Sequence, residues 1–204
     1  SKHNHKSYDI GQGCDLRDFK LKTRSVPRDL AEIKGPIIGY VGALLSSRLD
    51  IEVIRYIAEK KSEWSVVLVG PEDEAFNKSN LHDLPNIYFL GRKAKERIPD
   101  YIAHFDVCFN PQSINPSTIG NYPRKIDEYL AMGKPVVATA TEAMNMFEEY
   151  VYLCSSGEEY IASKHKALNE RDGRLSDQRV AFAFSHSWEN SVGKMEQYMR
   201  EILN

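Results

Sequence analysis

Lys125 and Glu128 stand three residues apart in the stretch Pro123-Arg124-Lys125-Ile126-Asp127-Glu128-Tyr129-Leu130-Ala131-Met132-Gly133-Lys134-Pro135-Val136-Val137-Ala138. The stretch reads as a helix, stopped by a glycine and followed at once by a buried strand. Pro123 suits the first helical turn, where a missing N–H costs nothing. Ile126, Tyr129 and Leu130 fall at i, i+3 and i+4 and form one apolar stripe. Gly133 fits the left-handed position after the helix, and Pro135 prevents continuation. A helix N-terminus with a lysine beside it suits a diphosphate. Glu128, one turn further in, can accept hydrogen bonds from sugar hydroxyls. The helix is fed by Asn110-Pro111-Gln112-Ser113-Ile114-Asn115-Pro116-Ser117-Thr118-Ile119-Gly120-Asn121-Tyr122. This loop is long, polar and rich in turn formers, and its amides can bind a phosphate and a sugar.

Three further loops carry residues of the same kind. In Gly42-Ala43-Leu44-Leu45-Ser46-Ser47-Arg48, the glycine permits close backbone approach and Arg48 can fork onto phosphate oxygens. An ordinary turn with a solvated arginine is the alternative. Gly70-Pro71-Glu72-Asp73 reads better as a strand-ending turn than as a contact. Leu90-Gly91-Arg92-Lys93 offers Gly91 for close approach and Arg92 for stacking, with a plain turn as the competing reading.

These loops need a frame. Apolar runs at 37–42, 64–69, 86–90, 105–109, 135–138 and 151–154 alternate with helical patterns. Asp50 is the expected cap of a helix carrying Ile51, Ile54, Ile57 and Ala58. A short helix is expected over 94–103, another near Met144–Glu149, and helix from Glu158 to the C-terminus. Continuous apolar strands between helices imply a parallel sheet covered on both faces, a doubly wound Rossmann-like α/β layer. In such sheets ligands bind beyond the C-terminal strand ends, where all four loops lie.

Several classes are disfavoured. The 204 residues carry a net charge of −2, with 42% hydrophobic and 27% charged residues, so there is no general electrostatic case for nucleic acid or an anionic membrane. Cys14, Cys108 and Cys154 form no Cys-x-x-Cys pair, and Cys108 and Cys154, inside apolar runs, read as buried reduced thiols of a cytosolic protein. His82, His104, His165 and His186 lack ligand spacing. His3 and His5 are at most a weak metal pair, and no metal site is expected. Asp106 reads as a packing element, Glu158-Glu159 and 169–174 as solvated faces, and Trp188 and Tyr198 as core or interface residues. No apolar run approaches a membrane span and no signal peptide is visible.

The 123–138 segment resembles the donor-binding signature of retaining glycosyltransferases with the GT-B fold, the family called glycosyl transferases group 1. Tyr8-Asp9-Ile10-Gly11-Gln12-Gly13-Cys14-Asp15, with Phe19 beyond, resembles the segment joining the two halves of such enzymes. There Asn-Gly-Val-Asp is common, and Gln12-Gly13-Cys14-Asp15 stands in its place. The helix from Trp188 to Leu203 resembles the one that crosses back to the N-terminal half. The resemblance spans nearly the whole chain, but only as the C-terminal half, and the start without Met fits a chain cut from something longer. It implies an interdomain linker at 1–35, a Rossmann-like nucleotide-sugar-binding domain at 36–185 and a crossover helix at 186–204.

The resemblance also implies roles. A sugar would pass from a nucleotide-sugar donor to a glycan or lipid-linked acceptor with retention, needing neither metal nor further cofactor. Arg48 and Lys125 would stabilise the departing diphosphate, Glu128 would hold the ribose, and Gly91 and Arg92 would meet the nucleobase. Gly42 and the Gly120 loop would supply close backbone contacts. Many family members carry two glutamates separated by seven residues. Glu128 matches the second, while the first falls at Gly120, leaving Thr118, Asn121 or backbone groups to meet the sugar. The acceptor site would belong to the absent N-terminal half, so this chain would bind nucleotide weakly and transfer nothing alone. A cytoplasmic location follows, with any membrane association residing in the absent half. A GT-B nucleotide-sugar epimerase and a non-catalytic nucleotide-binding module are the alternatives.

Overall fold

The computed structural model describes residues 7–8, 10–20, 22–170 and 173–203. His3, His5 and Asp9 lie outside the described residues. Six strands form one parallel sheet: β1 (Ile37–Val41), β2 (Ser65–Val69), β3 (Ile87–Phe89), β4 (Val107–Asn110), β5 (Val136–Thr139) and β6 (Tyr152–Cys154). Their order is β3-β2-β1-β4-β5-β6. β1, β2, β4 and β5 are buried along their whole length, which is why they read as unbroken apolar runs. Strand order reverses between β1 and β4, where Ile38 pairs with Val107. That crevice is the topological switch point.

The helices are α1 (Ile51–Lys60), α2 (Glu74–Asn77), α3 (Ile98–Ala103), α4 (Arg124–Ala131), α5 (Gly157–Leu168), α6 (Gly173–Ser185) and α7 (Trp188–Leu203). Asp50 caps α1 by accepting the Val53 N–H at 3.0 Å. On one face of the sheet, Ile54, Ile57 and Ala58 of α1 and Tyr160 of α5 pack on Ile38, Val66, Leu68 and Phe109. On the other, Ile126, Tyr129 and Leu130 of α4 pack on Cys108, Val136 and Ala138, together with Leu16, Phe19 and Leu30 of the N-terminal segment. Cys14, Cys108 and Cys154 are free and buried.

Helix α4 stops as its sequence demands. Gly133 has φ +65°, its N–H reaches the Leu130 carbonyl at 2.8 Å, and the Lys134 N–H reaches that of Tyr129 at 3.1 Å. Both bonds of the glycine stop are formed. The start differs from expectation, because Pro123 stands just before the helix and no side chain caps it.

Two other elements are shorter than expected. The 94–103 helix splits into a 3-10 turn (Lys95–Arg97) and α3. The segment near Met144–Glu149 is a 3-10 turn, Glu142–Phe147. There only Met144 and Phe147 are buried, and their i, i+3 spacing is the period of a 3-10 helix. α7 leaves Trp188, Val192, Met195, Met199, Ile202 and Leu203 exposed.

Candidate functional site

A cleft of about 750 Å³ opens over the C-terminal strand edge at the switch point. Among its lining residues are Gly42, Arg48, Arg92, Thr118, Asn121, Lys125 and Glu128. Gly91 and Gly120 are not. Gly91 has φ +66° and open space at its Cα, so turn geometry alone accounts for the glycine. Gly120 is exposed, and nothing lies within 4 Å of where a Cβ would be.

The β1 and β2 ends are nested. A Cβ on Gly70 would lie 1.8 Å from the Gly42 carbonyl oxygen, so no larger residue permits this approach. The Leu44 N–H reaches the Pro71 carbonyl at 2.8 Å. The Asp73 carboxylate accepts from the Ser46 N–H at 2.8 Å and hydroxyl at 2.9 Å, and from the Phe76 N–H at 2.7 Å. These bonds hold its carboxyl below the usual range although burial opposes them. The loop that carries Arg48 is thus pinned from beneath.

Lys125 extends from α4 toward β1. A Cβ on Gly42 would lie 2.7 Å from the Lys125 ammonium and 2.9 Å from the Tyr40 hydroxyl oxygen. Lys125 Nζ donates to that hydroxyl. Burial pushes the ammonium down to about 7, against the pull of Glu128 and with the repulsion of Arg48. Burial also raises the Glu128 carboxyl, opposed by Lys125, Arg124 and Lys95, and it raises the Tyr40 phenol, which stays neutral. The pair therefore sits partly desolvated, and burial weakens the hold of Lys125 on its proton. An arriving phosphate would favour its charged form.

The surrounding cations divide into two kinds. The side chains of Arg48, Arg92 and Arg124 line the cleft and make no hydrogen bond or ion pair among the described residues. Lys93 instead bonds to Asp29 at 2.7 Å and lies 5.6 Å from the Tyr101 ring centre. Lys95 lies 3.8 Å from Asp15.

The long loop is built by its own side chains. The Thr118 hydroxyl accepts from the Asn115 N–H at 3.0 Å and donates to the Ser113 carbonyl. Gln112 donates to the Thr118 carbonyl at 2.9 Å, and Asn115 donates to Ser47 at 2.8 Å. Thr118 is 2% exposed, so its hydroxyl shapes the loop. Asn121 is exposed at the cleft.

Three cleft or near-cleft residues escaped the sequence reading. Tyr40 hides in an apolar strand and gives no sequence signal. Asn110 ends β4 with its side-chain nitrogen buried and without a hydrogen-bond partner among the described residues. Asp127, which sits between Lys125 and Glu128 in the motif, is fully buried. Its carboxylate accepts from the Tyr122 hydroxyl at 2.6 Å and from Cys14 Sγ at 3.3 Å, and lies 2.8 Å from His186 Nδ1. Among the described residues no group of three or more His, Cys, Asp or Glu side chains is placed to hold a metal ion.

Residues 35–169, which include the sheet and most of the cleft, match the family model described as Glycosyl transferases group 1. The chain belongs to this family. It is 26% identical over 193 residues to TuaH of Bacillus subtilis (strain 168), a protein named as a glycosyltransferase of teichuronic acid biosynthesis. The match covers 90% of this chain and 48% of TuaH, so the chain spans about half the length of that relative. Among solved structures, the fold is similar to Anabaena HepE in complex with UDP and glucose (TM-score 0.65, 21% identity, 94% of this chain and 55% of that one). It is also similar to sucrose-phosphate synthase of Thermosynechococcus elongatus (TM-score 0.69, 22% identity, 95% and 52%). These likenesses establish the Rossmann-like layer of a GT-B glycosyltransferase as the fold of this group 1 chain. Among the described residues no helix is long and apolar enough to cross a membrane.

Proposed function

We propose that this chain is the donor-binding half of a glycosyltransferase that moves a sugar from a nucleoside-diphosphate sugar to an acceptor, with retention and without a metal. The observation that carries the reading is the Lys125–Glu128 pair on α4, held beside Gly42 at the switch point. The demand of the reaction is charge on the departing diphosphate. Arg48 as a fixed cation, and Lys125 as one that the arriving phosphate keeps charged, meet it in a partly desolvated cleft, where they act more strongly than in water. The N-terminal end of α4, with its positive dipole, adds to them. Glu128 holds the ribose. Arg92, exposed beyond β3, stacks on the base. Asn121 and loop amides face the sugar, since Gly120 supplies no carboxylate and the Thr118 hydroxyl is engaged within the loop.

The acceptor, a glycan or lipid-linked glycan, binds against the N-terminal half of the same protein. On this reading residues 1–35 are the interdomain linker, and 186–204 cross back to that half. The exposed apolar stripe from Trp188 to Leu203 is the surface it covers. HepE was solved with UDP and with UDP-glucose, so uridine nucleotides come first in the test.

That test is calorimetric titration of UDP, GDP, ADP and their sugars into this chain and the full-length protein, with and without EDTA. Selective, EDTA-insensitive binding is expected, and Glu128→Ala should weaken it by about 1–3 kcal/mol, the range for an uncompensated polar partner. No nucleotide binding by either protein would overturn the proposal, and an unchanged affinity in Glu128→Ala would remove the ribose role.

A further inference from the structure

We propose that Asp127 is a positioning residue of the donor site, holding α4 and two walls of the cleft through Tyr122, Cys14 and His186 without touching the donor. The inference rests on the donor-binding reading above. The neighbours of Asp127 on α4 divide cleanly. Lys125 and Glu128 line the cleft, while Ile126, Tyr129 and Leu130 enter the core. Asp127 takes the remaining side of the helix, and it is fully buried there. A buried carboxylate is costly unless hydrogen-bonded.

Its partners come from three segments far apart in the chain. Cys14 belongs to the N-terminal segment, Tyr122 to the long loop, and His186 to the joint between α6 and α7. The Cys14 N–H also donates to the His186 carbonyl at 2.8 Å, which closes the cluster. Burial lifts the Cys14 thiol to about 12 and raises the Tyr122 phenol as well, so both are protonated donors at neutral pH. The His186 ring is fixed by its neighbours, with the centres of Phe182, Phe147 and Tyr122 at 4.6, 6.2 and 6.4 Å.

Two facts link this cluster to the site. First, α4 has no side-chain cap, and its start is held by backbone bonds alone, Arg124 N–H to the Tyr122 carbonyl at 3.1 Å and Ile126 N–H to that of Pro123 at 2.8 Å. Asp127, in its first turn, adds the side-chain anchor from tertiary contacts. Second, Cys14 and Tyr122 are themselves cleft-lining residues, whereas His186 is not. Breaking the cluster therefore moves both walls and the helix that carries Lys125 and Glu128.

His186 gives the cleanest test, because it lies off the cleft. His186→Phe keeps a ring in the aromatic cage and deletes the bond to Asp127, while His186→Asn restores a donor near the Nδ1 position. The probe is whichever of UDP, GDP or ADP the wild-type chain binds best, titrated at a temperature where every variant is folded. His186→Phe and Tyr122→Phe should each weaken binding about tenfold, the loss of one hydrogen bond to a charged group, and His186→Asn should stay within about twofold. Asp127→Leu should lose more, and if it fails to fold the other variants decide. Lowered melting temperatures with wild-type affinity in His186→Phe and Tyr122→Phe would mean a structural role only and overturn the proposal. Equal losses in His186→Phe and His186→Asn would also overturn it. A wild-type chain that binds none of the three nucleotides overturns the donor-site reading and this role with it.

Discussion

The Lys125 ammonium lies over the Tyr40 ring, 3.8 Å from its centre, in the space that Gly42 leaves by having no side chain. Three residues from β1, the turn after it and α4, up to 85 positions apart in sequence, thus make one cation site. The ring replaces water on one side of the ammonium, which is why burial dominates its titration. The same desolvation strengthens its attraction for an arriving phosphate.

The first consequence is a pH dependence of donor binding. In the free protein Lys125 titrates at about 7, and a bound diphosphate raises that value. Affinity is then fullest below pH 7 and falls as pH rises through it, by up to about tenfold per unit while one proton is taken up on binding. A nucleotide-sugar carries no phosphate proton to titrate in this range. Calorimetry at pH 6.5, 7.5 and 8.5 should show the decline in wild type and a weak, flat profile in Lys125→Met. A flat wild-type profile would remove the titration of Lys125 from binding, and unchanged affinity in Lys125→Met would remove Lys125 from phosphate contact.

Gly42→Ala is predicted to be costly out of proportion to one methyl group. The new carbon would meet the Lys125 ammonium at 2.7 Å, in a backbone with φ +145°. The strain should destabilise the chain by about 1–3 kcal/mol, and the displaced lysine should lose its contact with Tyr40. Thermal melting and nucleotide titration read the two effects separately. Gly120→Ala, with open space around it, is the control and should change neither.

Lys164 offers a stability test far from the cleft. It is fully buried on α5, its Nζ has no hydrogen-bond partner among the described residues, and it lies 4.0 Å from the Phe109 ring centre. Burial drives its pKa well below the ordinary lysine value. Between the lowered folded value and the unfolded lysine value near 10.4, the unfolded chain binds a proton that the folded chain does not, so stability rises with pH across that window. Lys164→Met should stabilise the chain, because it removes a buried ammonium with no hydrogen-bond partner, and the gain should shrink as pH rises toward 10. Urea unfolding at pH 7 and pH 10 checks the sign and the trend.

Arg179 is the opposite case. Its guanidinium is 1% exposed, bonds to both Glu170 oxygens at 2.5 and 2.8 Å, and donates to the Tyr150 carbonyl at 2.9 Å. Arg179→Met leaves Glu170 and a backbone carbonyl without their partner, and should cost about 3–5 kcal/mol. Arg179→Lys should recover little of this, because an ammonium cannot reproduce the planar fork. Urea midpoints for the two variants measure the difference.

Much of the frame was legible in the residues themselves. All six strands announced themselves as apolar runs, and the first four are closed by Gly, Pro or Asn. The glycine stop of α4 follows from Gly133 and Pro135, whose effect is purely local. The helix expected near Met144–Glu149 is instead the 3-10 turn Glu142–Phe147, because two apolar residues three apart satisfy either period. The split at 95–98 and the uncapped start of α4 were hidden for a similar reason, since local preference is weak there and packing decides.

By itself the sequence determined the alternation of strands and helices, the C-terminal stop of α4, and the placing of Arg48, Lys125 and Glu128 on loops and a helix at one sheet edge. These are consequences of local backbone preference and hydrophobic period, which act within a few residues. Only the tertiary structure decided that Tyr40 turns under Lys125, that Thr118 is spent inside its own loop, that Gly91 and Gly120 stand off the cleft, and that Asp127 points inward to Cys14, Tyr122 and His186. Those outcomes depend on sheet register and on which helix packs over which strand. Side chains separated by 59 to 113 positions meet only once the whole core has closed, and no periodicity within one segment carries that information.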